Sequence, residues 1–243
     1  MNNLILDIGN TRSKIAVVSD GEVVYTQACE RLKPDELISA CGRFSVSAAI
    51  ASVVGSMPDF DILIPSEIKN NFHLLSYRSR LPITIDYDTP ETLGMDRVAA
   101  AVGARVLSSS KDPLLVVDAG SCITIDILDQ NDVYRGGAIA PGLRMRFRAL
   151  HEFTAALPLV DSDEQYTSLA GRNTNDSILS GVQEAAVLEI QGFAERYRAA
   201  MPALKLFLTG GDADFFAKRL FFPKFANSNL LYIGLDKILR MNI

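Results

Sequence analysis

The feature that most constrains this chain is a pattern that occurs twice. Residues Leu4-Ile5-Leu6-Asp7-Ile8-Gly9-Asn10-Thr11-Arg12-Ser13-Lys14 pass from an apolar run through a carboxylate and a glycine into short polar residues and a lysine. Residues Leu114-Leu115-Val116-Val117-Asp118-Ala119-Gly120-Ser121-Cys122-Ile123-Thr124 do the same. An apolar run bounded by a turn signal reads as a buried strand. The likeness extends downstream. Ile15 to Val18 leads through Ser19-Asp20-Gly21 to Val23-Val24-Tyr25, and Ile125 to Leu128 leads through Asp129 to Asp132 to Val133-Tyr134. Each copy reads strand, Asp-x-Gly turn, strand, polar turn, strand. Two copies at this spacing predict two similar domains, residues 1–112 and 113–243, and not a solenoid.

The first turn has the composition of a phosphate loop. Asp7 stands where its strand ends, and Gly9, without a Cβ, lets the backbone approach a ligand closely. Asn10, Thr11 and Ser13 add short donors, and Lys14 adds a positive charge. Successive backbone N–H groups in such a turn form an anion-binding concavity. A carboxylate beside a bound phosphate is repulsive unless a cation lies between them. Mg²⁺ takes that arrangement, with one or two carboxylates, waters and substrate phosphates. The plainer alternative is a strand that ends in an Asn-Thr turn. The second copy favours the phosphate loop.

Composition narrows the classes. The 243 residues suffice for a proper core, and 48% hydrophobic against 22% charged residues marks a folded chain. A net charge of −5 with no long basic run disfavours nucleic acid as a partner. No apolar run reaches membrane length. The chain reads as a strand by Leu4, with no cleavage signal before it, so a cytoplasmic location is expected. Cys29, Cys41 and Cys122 lack paired spacing, against a disulfide framework or a zinc site. Cys122 follows the second Asp-x-Gly turn and could be a nucleophile, but His73 and His151 lie far off in sequence. A small buried thiol is the simpler reading.

Between the repeats, Pro34-Asp35-Glu36 opens a helix, and Val46 to Val54 reads as a buried parallel strand. Asp59 to Lys69 is predicted as a short helix that Pro65 complicates. His73 to Tyr77 and Ile83 to Tyr87 read as short strands. Asp96 fits the cap or first turn of an alanine-rich helix over Val98 to Leu107, which alone accounts for it. The sharper reading takes Gly94-Met95-Asp96-Arg97 together: a close approach, a proton acceptor and a two-pronged anion clamp. Beyond the second repeat, Pro141-Gly142 opens a helix to about Leu150, whose Arg144, Arg146 and Arg148 read mostly as a solvated face. Thr174, before a helix over about 176–200, caps it or faces a ligand. Leu204 to Leu208 is a strand, Thr209-Gly210-Gly211-Asp212-Ala213 a strand-to-helix turn, and Leu230 to Leu239 a final helix.

The ordered set Asp7-Ile8-Gly9-Asn10-Thr11, Gly94-Met95-Asp96-Arg97-Val98-Ala99-Ala100, Asp118-Ala119-Gly120-Ser121, Gly136-Gly137-Ala138-Ile139-Ala140-Pro141-Gly142, Asn173-Thr174 and Thr209-Gly210-Gly211-Asp212 resembles the type III pantothenate kinases. That family belongs to the acetate and sugar kinase, Hsp70 and actin superfamily. The resemblance covers nearly the whole chain. It implies an α/β fold of duplicated ribonuclease H-like, actin-like ATPase domains with an interdomain cleft. It also implies ATP-dependent phosphorylation of pantothenate, the first step towards coenzyme A, in a homodimer that uses Mg²⁺ and K⁺ or NH₄⁺. By the same resemblance Asp7, Ile8, Gly9, Asn10, Thr11, Arg12, Ser13 and Lys14 form the first phosphate loop, and Ser121 belongs to the second. Asp96 is the general base. Tyr87, Gly94, Met95, Arg97 and Thr174 contact pantothenate, Arg97 at its carboxylate and Thr174 near the dimer interface. Asp118 is the monovalent-cation ligand. Ser121-Cys122 stands where many relatives carry Thr-Ala, and the serine keeps the hydroxyl. Two alternatives remain: a kinase of the same superfamily with another small acceptor, and a non-catalytic nucleotide-binding regulator.

Overall fold

Each repeat folds as a β-meander followed by helices. The computed structural model describes residues 1–108 and 110–243. The first half runs β1 (Asn2–Ile8), β2 (Ser13–Ser19), β3 (Glu22–Cys29), α1 (Pro34–Phe44), β4 (Ala48–Val53), α2 (Phe60–Leu63), β5 (Phe72–Leu74), β6 (Thr84–Ile85) and α3 (Met95–Leu107). The second half runs β7 (Leu114–Ala119), β8 (Cys122–Leu128), β9 (Val133–Pro141), α4 (Leu143–Glu152), α5 (Thr174–Leu179), α6 (Ala185–Ala200), β10 (Lys205–Thr209), α7 (Ala213–Arg219), β11 (Lys224–Ala226) and α8 (Leu230–Asn242).

The chain forms two compact units. The first comprises Met1–Lys111, Leu128–Arg135 and Asn229–Ile243. Its sheet has the order β3-β2-β1-β4-β5, with β1 antiparallel to β2 and parallel to β4. Asp20 (φ 49°) and Gly21 (φ 91°) make the two-residue turn between β2 and β3, in the left-handed conformation that matches strand twist. Strand residues alternate between faces. Leu4 and Leu6 of β1 join Ile15, Val17, Leu37 and Ala51 in one core. Asn3, Ile5 and Asp7 take the other face, where α3 and α8 pack. Along α3 every residue from Val98 to Ala104 is buried, and α8 buries Leu230, Leu235, Ile238 and Leu239. The expected division at 112/113 assigns this last helix to the second half; in the structure it completes the first unit. β6 pairs in parallel with the start of β9, Thr84 with Val133 and Ile85 with Tyr134.

The second unit comprises Asp112–Ile127 and Gly136–Ser228. Its strands follow the order β11-β10-β7-β8-β9, with β10 parallel to both neighbours. Val117, Ile125, Phe147, Ile190, Leu208 and Phe216 belong to its core.

Three local features differ from expectation. Pro65, which lacks an N–H, splits the helix predicted over Asp59–Lys69 into α2 and a 3-10 turn, Ser66–Asn71. The helix expected over 176–200 begins at Thr174 and carries a π-helical segment, Ser180–Glu184. There the fully buried Gln183 accepts from Ser162 Oγ and Asp163 N and donates to Asp163 O. β11, three residues long, was not anticipated.

Candidate active site

In the first unit the site starts at the β1–β2 hairpin. Register pairs Asp7 with Lys14, which places Lys14 Nζ 3.7 Å from Asp7 Oδ2. The turn closes with Gly9 N donating to Arg12 O at 3.2 Å. A Cβ on Gly55, in the loop after β4, would lie 3.2 Å from Gly9 O and 3.4 Å from Asn10 Oδ1. Gly55 therefore backs the turn, a role that sequence reasoning missed; its one signal was a glycine directly after a buried strand. Asn10, Thr11 and Arg12 are exposed at the tip, whereas Ile8 and Ser13 are buried in the strands.

Asp7 is 8% exposed. Burial pushes its carboxyl up to about 6; Lys14 pulls it down, and the charge of Asp96 pushes it up again. Asp96 is thus near enough for its charge to be felt. It lies in the first turn of α3, whose cap residue is Gly94. Asp96 Oδ1 accepts from Arg97 N at 2.9 Å, and a Cβ on Gly94 would meet that oxygen at 2.6 Å. The glycine is what makes room for the carboxylate. Arg97 and Met95 are both buried, at 6% and 7% exposure. The half-buried Tyr87 sets its ring 6.5 Å from that of the fully buried Tyr134. The structure thus brings Asp7, Lys14 and Asp96 together, with Gly94 and Arg97 flanking the last.

In the second unit Asp118 is the penultimate residue of β7, and register pairs it with Thr209 of β10. Gly210 follows with φ +95°, and a Cβ there would stand 2.4 Å from both Asp118 Oδ1 and Ala119 O. No other residue fits that position without displacing the turn. Gly142 closes in likewise: its N–H donates to Ser121 O at 3.2 Å, and a Cβ would meet Gly120 O at 2.4 Å. Ser121 is exposed at the tip and Cys122 is part-exposed. Asp212, to which sequence reasoning gave no role of its own, donates its N–H to Ala119 O at 2.9 Å. Burial raises its carboxyl while Arg144 draws it down. Arg146 leaves the solvated face expected for α4: it bonds Pro141 O at 2.7 Å and Glu189 Oε2 at 2.8 Å. Thr174 is exposed as the first residue of α5; the cap is Asn173, whose Oδ1 accepts from Asp176 N at 3.0 Å.

Residues 3–196 match the family model of type III pantothenate kinases. The chain belongs to the type III pantothenate kinase family. Type III pantothenate kinases of Cytophaga hutchinsonii and Flavobacterium johnsoniae are 41% and 40% identical to it, each aligned over 99% of this chain and over 100% and 98% of their own lengths. Among solved structures, a Baf family transcriptional activator from Campylobacter jejuni superposes with a TM-score of 0.64 at 25% identity, covering 98% of both chains. A glucokinase from an Antarctic psychrotroph superposes at 0.52 and 14% identity, also over 98% of both. The glucokinase likeness carries the fold alone. It is the duplicated α/β fold of actin-like ATPases and sugar kinases, which the type III pantothenate kinases share.

Proposed function

We propose that this chain transfers the γ-phosphoryl group of ATP to the primary hydroxyl of pantothenate, with Asp96 as general base. Family membership supports the reaction. The observation that carries the residue assignment is the seat of Asp96: a carboxylate at the head of α3, held by Arg97 N and felt by the buried Asp7. Asp96 takes the hydroxyl proton, the hydroxyl oxygen bonds to the γ-phosphorus, and the bond from that phosphorus to the β–γ bridging oxygen breaks, releasing ADP. Such a transfer needs positioning and charge neutralisation more than covalent catalysis. Arg97 clamps the pantothenate carboxylate with two N–H groups. Tyr87, Gly94, Met95 and Thr174 complete the acceptor site. The loop from Asp7 to Lys14 holds the ATP phosphates, and Ser121 supplies a hydroxyl from the second loop.

Two cations fit the residues present. Asp7 would hold Mg²⁺, because a buried carboxylate with a strongly raised pKa is relieved by a nearby cation. When bound, that ion neutralises charge on the phosphates. Asp118 would hold K⁺ or NH₄⁺, because it brings a carboxylate to a turn against which Gly210 packs closely enough to fix Oδ1 in place. The protein acts in the cytoplasm, where ATP is at hand, as a homodimer.

ADP release from Mg-ATP, followed with and without pantothenate in K⁺ and then Na⁺ buffer, tests the reading. Release should require pantothenate and rise with K⁺. Asp96→Asn should lose at least ~100-fold in turnover while still binding ATP. Near-normal turnover would return Asp96 to a first-turn helix residue. Sedimentation of the same preparation should show a dimer.

A further inference from the structure

Helices α3 and α8 cross with their backbones in contact. A Cβ on Gly103 would stand 1.9 Å from Leu230 O, and one on Gly234 would stand 1.8 Å from Ala99 O. Close-packed interiors cannot absorb such an overlap, so a larger residue at either position must part the helices by more than ~1 Å. A glycine inside a helix costs ~1 kcal/mol relative to alanine. Two of them facing each other are therefore explained by the approach they permit. The same helix is tied to β1. Asn3 Nδ2 donates to Asp236 Oδ1 at 2.6 Å, and Arg240 Nε donates to Asp236 Oδ2 at 2.8 Å. Asn3 and Asp236 are both buried. Asp7 is the penultimate residue of β1 and Asp96 the second of α3, so α8 grips, from behind, the two elements that carry these carboxylates.

We propose that α8 is a positioning element for the acceptor site, with Gly234 as the residue that sets the separation between the end of β1 and the head of α3. The proposal rests on the reading of Asp96 as general base. A helix rises ~1.5 Å per residue, so Asp96 lies ~10 Å from Gly103 along a stiff rod. The stretch Val98–Ala104 is buried throughout and cannot bend into solvent to relieve the overlap. A shift of ~1 Å at reacting groups can cost ~100-fold. Gly234 touches no substrate; it acts through the placement of Asp96 and Arg97.

The test compares Gly234→Ala and Asn3→Ala with the parent, with Asp96→Asn assayed alongside. Gly234→Ala should raise KM for pantothenate ~10-fold or more and lower kcat, with KM for ATP within ~2-fold of the parent. A glycine that serves folding alone would scale kcat with the amount of folded protein and leave both KM values unchanged, and that result overturns the proposal. If Gly234→Ala does not fold, Asn3→Ala carries the test. It loosens the attachment of α8 to β1 without an overlap and, because β1 also carries Asp7, should raise KM for pantothenate and for ATP together, each by less than Gly234→Ala raises the first. Unchanged KM values in Asn3→Ala would then overturn it. An Asp96→Asn protein with parental turnover would instead reject the base assignment, whatever the glycine variant does, so the two failures are distinguishable.

Discussion

Asp7 shows what a buried carboxylate costs the fold. Its folded pKa of about 6 lies above the ordinary value of 3.8, because burial penalises the charge more than Lys14 compensates it. The folded protein therefore keeps this proton at pH values where the unfolded chain has lost it. Stability drains away as pH rises from ~4 to ~6, and the full cost, ~3 kcal/mol, is present above that. Asp7→Asn should accordingly melt ~5 °C or more above the parent at pH 8, show no gain at pH 4, and lose phosphoryl transfer. Melting curves at the two pH values decide it. An Asn variant no more stable at pH 8 would mean that the Lys14 ion pair balances burial. The placement of Asp7, Asp96 and Asp118 was legible because a carboxylate near a strand end or helix start announces itself locally. Gly55, Gly103 and Gly234 carried no such mark: what each makes room for comes from a distant part of the chain.

Among the elements, the β7–β8 turn is shaped by pieces of backbone that press on it from Gly142 and Gly210. Gly210 sits at φ +95° with Asp118 Oδ1 2.4 Å from where its Cβ would go, so Gly210→Ala combines backbone strain with an overlap on the proposed cation ligand. This variant should abolish the stimulation of ADP release by K⁺ over Na⁺; full retention of that stimulation would remove Asp118 from the cation site. The meanders themselves were readable, since alternation and the Asp20-Gly21 turn specify them within a few residues. The π-helical segment was not. The sequence reads as a helix over about 176–200, but the extra residue in the turn goes with Gln183 meeting the loop at Ser162 and Asp163. β11 was equally silent, because three residues are too few for a period to show.

Across the whole molecule the sequence repeat foretold two units, but not that the chain would leave the first, build the second and return. α8 was legible as a helix, yet its destination was not, because an apolar helix face does not say which sheet it covers. A chain that ends at Ser228 lacks Leu230, Leu235, Ile238 and Leu239 and uncovers one face of the first sheet, including Asn3. Limited proteolysis of that shortened protein should cut readily within residues 1–111 and spare the second unit; equal resistance in both would mean that the first sheet holds without α8. The same threading has a meaning for synthesis. A ribosome makes β1 well before the helix that covers it. The second unit, complete by Ser228, is free to fold while the first still waits with one side bare, so the order of maturation runs against the order of translation.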